Sequence, residues 1–254
     1  MDVCYIYYKM PFTFSHPAAI LPLRNLPPKY YSMTGLVIGS MTPDFEYFLR
    51  MNVGSIYSHS FWGLFYFDLP VGIGICFVFH NIVRNTFVDH LPKMIKERFW
   101  DLKAFDWNSA FKQNWPVIII SIWIGAASHI IWDDFTHPLG YFVTKSSLLK
   151  HKIQLTRHGI PVYNILQILS SLIGGLIVLN FIWRMPKTKI QTVNNKDLYW
   201  VFVSIIVVTI MLVRFFDGLT IEKYSNVIVS IISSFFIALI LTPFLRYSNS
   251  SKRI

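Results

Sequence analysis

Cysteine is nearly absent from this 254-residue chain: Cys4 and Cys76 are the only two, the second of them in an apolar run. That scarcity excludes a disulfide framework and a thiolate metal cluster, so any metal must be held by histidine and carboxylate. Charge is scarce as well. Asp, Glu, Lys and Arg make up 14% of the residues, against 54% hydrophobic and 17% aromatic, too little for an ordinary soluble domain. Acids are the rarer sign, 13 against 23 basic residues, giving a formal net charge of +10. The Lys and Arg residues fall between apolar runs, where they meet anionic lipid headgroups and set topology. Membrane lipids are therefore the expected partners, and nucleic acid is a poor account of the charge. The first residues, "MDVCYIYYKM", lack the basic start, apolar core and small-residue cleavage site of a signal peptide. Met10, which opens "MPFTFSHPAA", is the expected true start.

What is present in quantity is long apolar runs. Five of them, near 61–83, 115–132, 163–183, 198–216 and 225–245, are long enough at about 1.5 Å per residue to cross a hydrocarbon core of roughly 30 Å. The expected fold class is all-α: a polytopic helical membrane protein with about five transmembrane helices plus short interfacial or re-entrant helices. The run at 33–49, "MTGLVIGSMTPDFEYFL", carries Pro43, Asp44 and Glu46 and is read as non-spanning. The aromatic and basic connection at 84–114 reads as a helix lying in the interface.

The last two spans hold no His and no acid in their apolar stretches, which marks them as packing or anchoring elements. The expected division is a metal-site domain over 1–173 and anchoring helices over 174–254. All eight histidines lie in the first part.

The densest chemistry is in "AASHIIWDDFTHPLG", 126–140. Residues four apart on a helix are offset by about 40°, so His129, Asp133 and His137 share a face if the helix continues that far. The two imidazoles would then be about 12 Å apart along the axis, a long reach for one ion. Asp133, midway, can bridge two ions roughly 3.5–4 Å apart, each taking one flanking His. Further ligands come from "FSHPAA" (His16), "GSMTPDFEYF" (Asp44) and "YSHSFWG" (His59). With 33–49 not crossing, all of these lie on one side of the membrane.

Asp68, nine residues after His59, lies about 13 Å deeper if one helix holds both. It shares the pocket only if the helix starts after His59 or bends near Pro70, and it reads as a second-sphere or proton-handling acid. Asp134 is about 100° off the His129 face and reads as a hydrogen-bonded or solvated carboxylate. Asp134 or Glu46 is the candidate proton acceptor. His80, His90 and His151 read as surface or interface residues. Arg157 and His158, in "RHGIPVYNILQ", are a possible phosphate contact at a helix N-terminus, with a plain interfacial turn as the alternative.

On the motifs "MPFTFSHPAAILPL", "GSMTPDFEYFLR", "HSFWGLFYFDLP", "SHIIWDDFTH" and "HGIPVYNILQ", the chain resembles a bacterial membrane family known as domain of unknown function 4184, over about 10–173. The order His, Pro-Asp, His-Ser, Ser-His-x-x-x-Asp is also distantly similar to membrane-bound metal-dependent hydrolases and zinc-dependent phospholipase C. That resemblance implies zinc ligands at His16, Asp44, His59, His129 and a bridging Asp133. It departs from those enzymes in the spacing of the next His and in having no clear later His/Glu pair.

These readings combine into an expected membrane-embedded hydrolase with two divalent ions, zinc by resemblance, acting on a phosphoester or lipid headgroup. The alternative is a non-catalytic ion or proton pathway, or a scaffold with a buried polar cluster. The larger share of basic residues lies opposite the site, which turns the site away from the cytosol. The expected location is the bacterial cytoplasmic membrane.

Overall fold

A computed structural model describes residues 12–154, 159–190 and 198–250. Met10, Arg157 and His158 lie outside the described residues. Helix dominates: α1 (Pro17–Ile20), α2 (Met33–Gly39), α3 (Phe45–Arg50), α4 (Leu64–His90), α5 (Lys93–Phe99), α6 (Trp107–Thr136), α7 (Tyr141–Lys145), α8 (Ser147–Lys150), α9 (Val162–Arg184), α10 (Tyr199–Phe216) and α11 (Tyr224–Ser250). Among the described residues the only strands are two short ones, β1 (Lys152–Ile153) and β2 (Ile160–Pro161), paired antiparallel.

Five helices are long and apolar enough to cross a membrane: Leu64–His90, Trp107–Lys145 (α6 continued through α7), Val162–Arg184, Tyr199–Phe216 and Tyr224–Leu245. The region 33–49 forms only short helices, as its Pro and acids predict. Two spans differ from expectation at both ends, α4 running on to His90 rather than 83 and α6 to Thr136 rather than 132. Helix α4 begins at Leu64 rather than near 61, because the Ser60 hydroxyl takes the Gly63 N–H (3.0 Å) and the Tyr66 hydroxyl bonds the Tyr57 carbonyl (2.9 Å), holding the preceding residues in a turn. Helix α6 begins at Trp107, eight residues early, and bends at Asn114 (φ −131°, ψ 25°), where Pro116 supplies no N–H to the ladder.

The chain forms two compact units. The first comprises Met1–Phe45, Ser55–Ile73 and Asn114–Trp183. Within it α2 lies against α6. A Cβ on Gly39 would run into the Ile122 backbone, and one on Gly125 into the Leu36 carbonyl, so glycine on both helices permits backbone contact. Ser32 caps α2 by accepting the Gly35 N–H at 3.1 Å. Helix α9 is polar inward and apolar outward: Asn164, Gln167 and Gly174 are buried, while Leu169, Leu172, Ile173 and Leu176 are exposed. In water that pattern is inverted; in hydrocarbon it is the stable one.

The second unit comprises Glu46–Gly54, Gly74–Gln113 and Arg184–Ile254. Its core joins Val83, Tyr199, Val203, Ala238 and Leu239. Buried hydroxyls of α11 are satisfied along their own helix, Ser234 to the Ser230 carbonyl (2.6 Å) and Thr242 to that of Ala238 (2.7 Å), as an apolar surrounding requires.

Candidate metal centre

Helix α6 presents His129 and Asp133 one turn apart, and the turn persists past its end: the His137 N–H bonds the Asp133 carbonyl at 2.8 Å. Three other segments of the same unit converge there. His16 leaves a 3-10 turn (Thr13–Ser15) and precedes Pro17, the first residue of α1. Asp44 ends the turn Thr42–Asp44, in whose first residues Pro43 stands. His59 lies in the bend before α4, so the condition for His59 and Asp68 to share a region, a helix beginning after His59, is met. Asp68 is fully buried on the wide first turn of α4 (Leu64–Asp68), which packs beside Thr42–Asp44.

The polar atoms of these side chains form a compact polyhedron. His129 Nε2 is 3.3 Å from Asp133 Oδ2 and 3.5 Å from Asp44 Oδ1; His59 Nε2 is 3.5 Å from both of those oxygens. Donor atoms 3.3–3.5 Å apart are close enough to share one ion at metal–ligand bonds of about 2.0–2.1 Å, and the group Asp44, His59, His129 and Asp133 can hold a metal ion.

Three of the four, Asp44, His59 and His129, are aimed by a second partner. The Ser40 carbonyl, carried to α6 by the α2 contact, bonds His129 Nδ1 at 2.7 Å. Nδ1 therefore carries a proton, and Nε2 is the nitrogen that faces the centre. The Ser58 hydroxyl sits 2.9 Å from His59 Nδ1, and the Thr13 hydroxyl donates to Asp44 Oδ2 at 2.5 Å. What these contacts leave over is informative. His16 Nδ1 and Nε2, Asp44 Oδ1, His129 Nε2 and both oxygens of Asp133 are buried with no hydrogen-bond partner. Each such atom costs about 1–3 kcal/mol, and two carboxylates share the space. A bound cation would meet these atoms together.

Electrostatics outside the spans agrees. Burial, reinforced by His129, pushes His16 down to about 3, so it is neutral and ready to ligate. Burial also opposes charge on His59, but hydrogen bonds to Asp133 and Asp44 outweigh it and raise His59 to about 9. Burial likewise opposes charge on Asp44, yet His129 and His59 hold it well below the usual carboxylate range.

On Asp133, His129 and His137 both meet Oδ2, at 3.3 Å, and Oδ1 faces His16 Nε2 at 3.7 Å. The 12 Å axial rise is overcome because the two imidazoles lean toward each other. Asp134 is half-buried, and its Oδ1 accepts the Tyr141 N–H at 3.0 Å, which caps α7. Glu46 belongs to the second unit, where it pairs with Arg50 at 3.2 Å.

His90 and His151 are partly or fully exposed, as expected. His80 is not a surface residue: it is 2% exposed, because it stacks on Trp107. Sequence reading missed Gln167, whose Nε2 lies 3.4 Å from His137 Nε2, and Ser170, which accepts from Trp132 Nε1 at 3.2 Å. The signal was available as the polar stripe Asn164, Gln167, Ser170 along an otherwise apolar helix.

The model of a family described as Domain of unknown function (DUF4184) matches residues 10–244 of the chain. No curated protein and no solved structure matches it.

Proposed function

We propose, for a chain that belongs to the domain of unknown function 4184 family, that it is a membrane-embedded metal-dependent hydrolase acting on a phosphoester or lipid headgroup. The observation that supports this reading is the set of orphaned, buried donor atoms brought within 4.8 Å of one another. Asp44, His59, His129 and Asp133 would hold one divalent ion. His16, facing the other oxygen of Asp133, would hold a second. Zinc suits the imidazole and carboxylate set.

When bound, such ions lower the pKa of a water toward about 7 and polarise a phosphoryl or acyl oxygen. The protein's part is to orient, enclose and move a proton. His16 and His129 close the floor of the site at 1% and 0% exposure. His59 and His137, with side chains 16% and 24% exposed, form its open side. His137, with Nδ1 at 3.3 Å from Asp133 Oδ2, is better placed to hold a proton than Asp134, which is engaged with α7. Exposed Phe61, Trp62 and Leu139 flank that side in sequence and suit an amphiphilic substrate.

The test is metal content and hydrolysis together. The full chain, purified in detergent without chelator, is expected to carry about two equivalents of zinc and to cleave a phosphodiester lipid analogue. Stripping should abolish cleavage and zinc should restore it. Wild-type protein without any bound metal would sink the reading. Cation flux in liposomes that survives metal stripping would favour a pathway involving buried Asp68 instead.

A further inference from the structure

Asp44 and His59 are joined by fourteen residues, 45–58, and the middle of that connection, Glu46–Gly54, is part of the second unit. It is closed on itself. Arg50 Nη1 donates both to Glu46 Oε1 at 3.2 Å and to the Gly54 carbonyl at 2.8 Å, so one side chain ties the first residue of this stretch to the last. Helix α3 ends inside it with two bonds, from the Met51 N–H to the Phe48 carbonyl (3.4 Å) and from the Asn52 N–H to the Tyr47 carbonyl (3.2 Å). This is the left-handed helix stop that usually takes glycine. Met51 occupies it at φ 49°, a conformation that a residue with a side chain keeps only where its surroundings hold it.

Helices α10 and α11 supply that hold. The Met51 carbonyl accepts from Arg214 Nη2 at 3.1 Å and from the Ser230 hydroxyl at 3.4 Å, and the Val53 N–H donates to Asn226 Oδ1 at 2.9 Å. The Ser233 hydroxyl is shared between the Phe48 and Val229 carbonyls, 2.7 Å from each, and Phe236 meets the Phe48 ring edge to face at 5.4 Å. Nearly all of these contacts reach backbone atoms, so they fix the path of the chain. The two spans that hold no His and no acid in their apolar stretches thus direct four polar side chains at one loop.

We propose that the loop 46–54, closed by Arg50 and held by Asn226, Ser230 and Ser233, positions Asp44 and His59 for their ion, an inference that rests on the metal-centre reading above. With the loop closed, only five of the fourteen linking residues, 45 and 55–58, remain to be ordered when the two ligands meet. Closure entropy scales with the three-halves power of that ratio, an advantage of roughly fivefold. The test is zinc affinity of the full chain in detergent, by chelator competition, beside hydrogen exchange of the amides of 55–60 in the stripped protein. Arg50→Met combined with Asn226→Ala should lower affinity about fivefold at unchanged stoichiometry and speed that exchange. Asn226→Ala alone should show part of both effects and remains informative if the double variant does not fold. Thr242→Val removes a buried hydroxyl that bonds the Ala238 carbonyl further along α11 and should change neither. Unchanged exchange in the loop variants overturns the proposal, as do faster exchange with unchanged affinity and equal losses in Thr242→Val. Wild-type protein without bound metal would remove the hydrolase reading alone, because the exchange measurement still tests the loop.

Discussion

The rings of His16 and His129 lie stacked, 3.7 Å between centroids and 17° from parallel, although they are far apart in the chain. Two imidazoles at that separation cannot both be imidazolium without strong repulsion. Burial, with this repulsion added, keeps His16 neutral, with its Nε2 turned to Asp133 Oδ1 while His129 serves Oδ2. One carboxylate is addressed through both oxygens by a pair of adjacent rings.

Removal of these two histidines should have unequal effects on metal content. His129→Ala is expected to lose essentially all bound metal. His16→Ala should lose about one of two equivalents and keep the other. Metal analysis of the purified variants decides it, and equal loss in both would refute the separate duties assigned here.

Metal uptake should release protons. His59 sits near 9 before the ion arrives and His16 near 3, so at pH 7.5 the first must give up its proton and the second has none to lose. At least one proton per first ion is expected, and affinity should fall roughly tenfold per pH unit below about 9. Calorimetric titration in two buffers of different ionisation enthalpy measures this. A proton count of zero would contradict it.

In the metal-free protein His16 makes stability pH-dependent in the opposite part of the scale. Its folded value, about 3, lies below the ordinary 6.5, so the unfolded chain binds a proton that the folded one rejects. Stability should be intact above pH 6.5 and decline as pH falls toward 3. His16→Gln should flatten that decline in thermal melts of the stripped protein; an unaltered slope would assign it to other groups.

Thr13→Val keeps the side-chain volume but removes the hydroxyl that donates to Asp44 Oδ2. Loss of such a supporting bond costs about 10–100-fold in metal affinity. Competition against a zinc chelator should show this drop with unchanged stoichiometry.

Gly125→Ala acts from further away. Its Cβ would meet the Leu36 carbonyl and Ser40 N, pushing α2 and the Ser40 carbonyl away from His129 Nδ1. A destabilisation of about 1–3 kcal/mol with weakened metal binding is expected. Normal melting and normal affinity together would show that the helix contact does not position the ligand.

Much of this site is legible along the chain. His129, Asp133 and His137 face one way because helical spacing alone puts them there, and the absence of paired cysteines restricts the donor set to nitrogen and oxygen. The turn-forming Pro17 and Pro43 mark His16 and Asp44 as residues outside long helices. His80 was not legible: a histidine in an apolar helix has the same local pattern whether it meets lipid, water or a neighbouring ring.

The sequence by itself determined the class of the protein, the number of apolar helices and the kinds of atom able to bind a cation. These follow from run length, period and composition, which are properties of neighbouring residues. Only the tertiary structure decided which oxygen of Asp133 meets which imidazole, that the Ser40 carbonyl takes the Nδ1 proton of His129, and that His80 stacks on Trp107. Each of these depends on ångström-scale approach between segments tens of residues apart, where the lean of a side chain or a glycine in place of a Cβ changes the partner, and no local pattern encodes that.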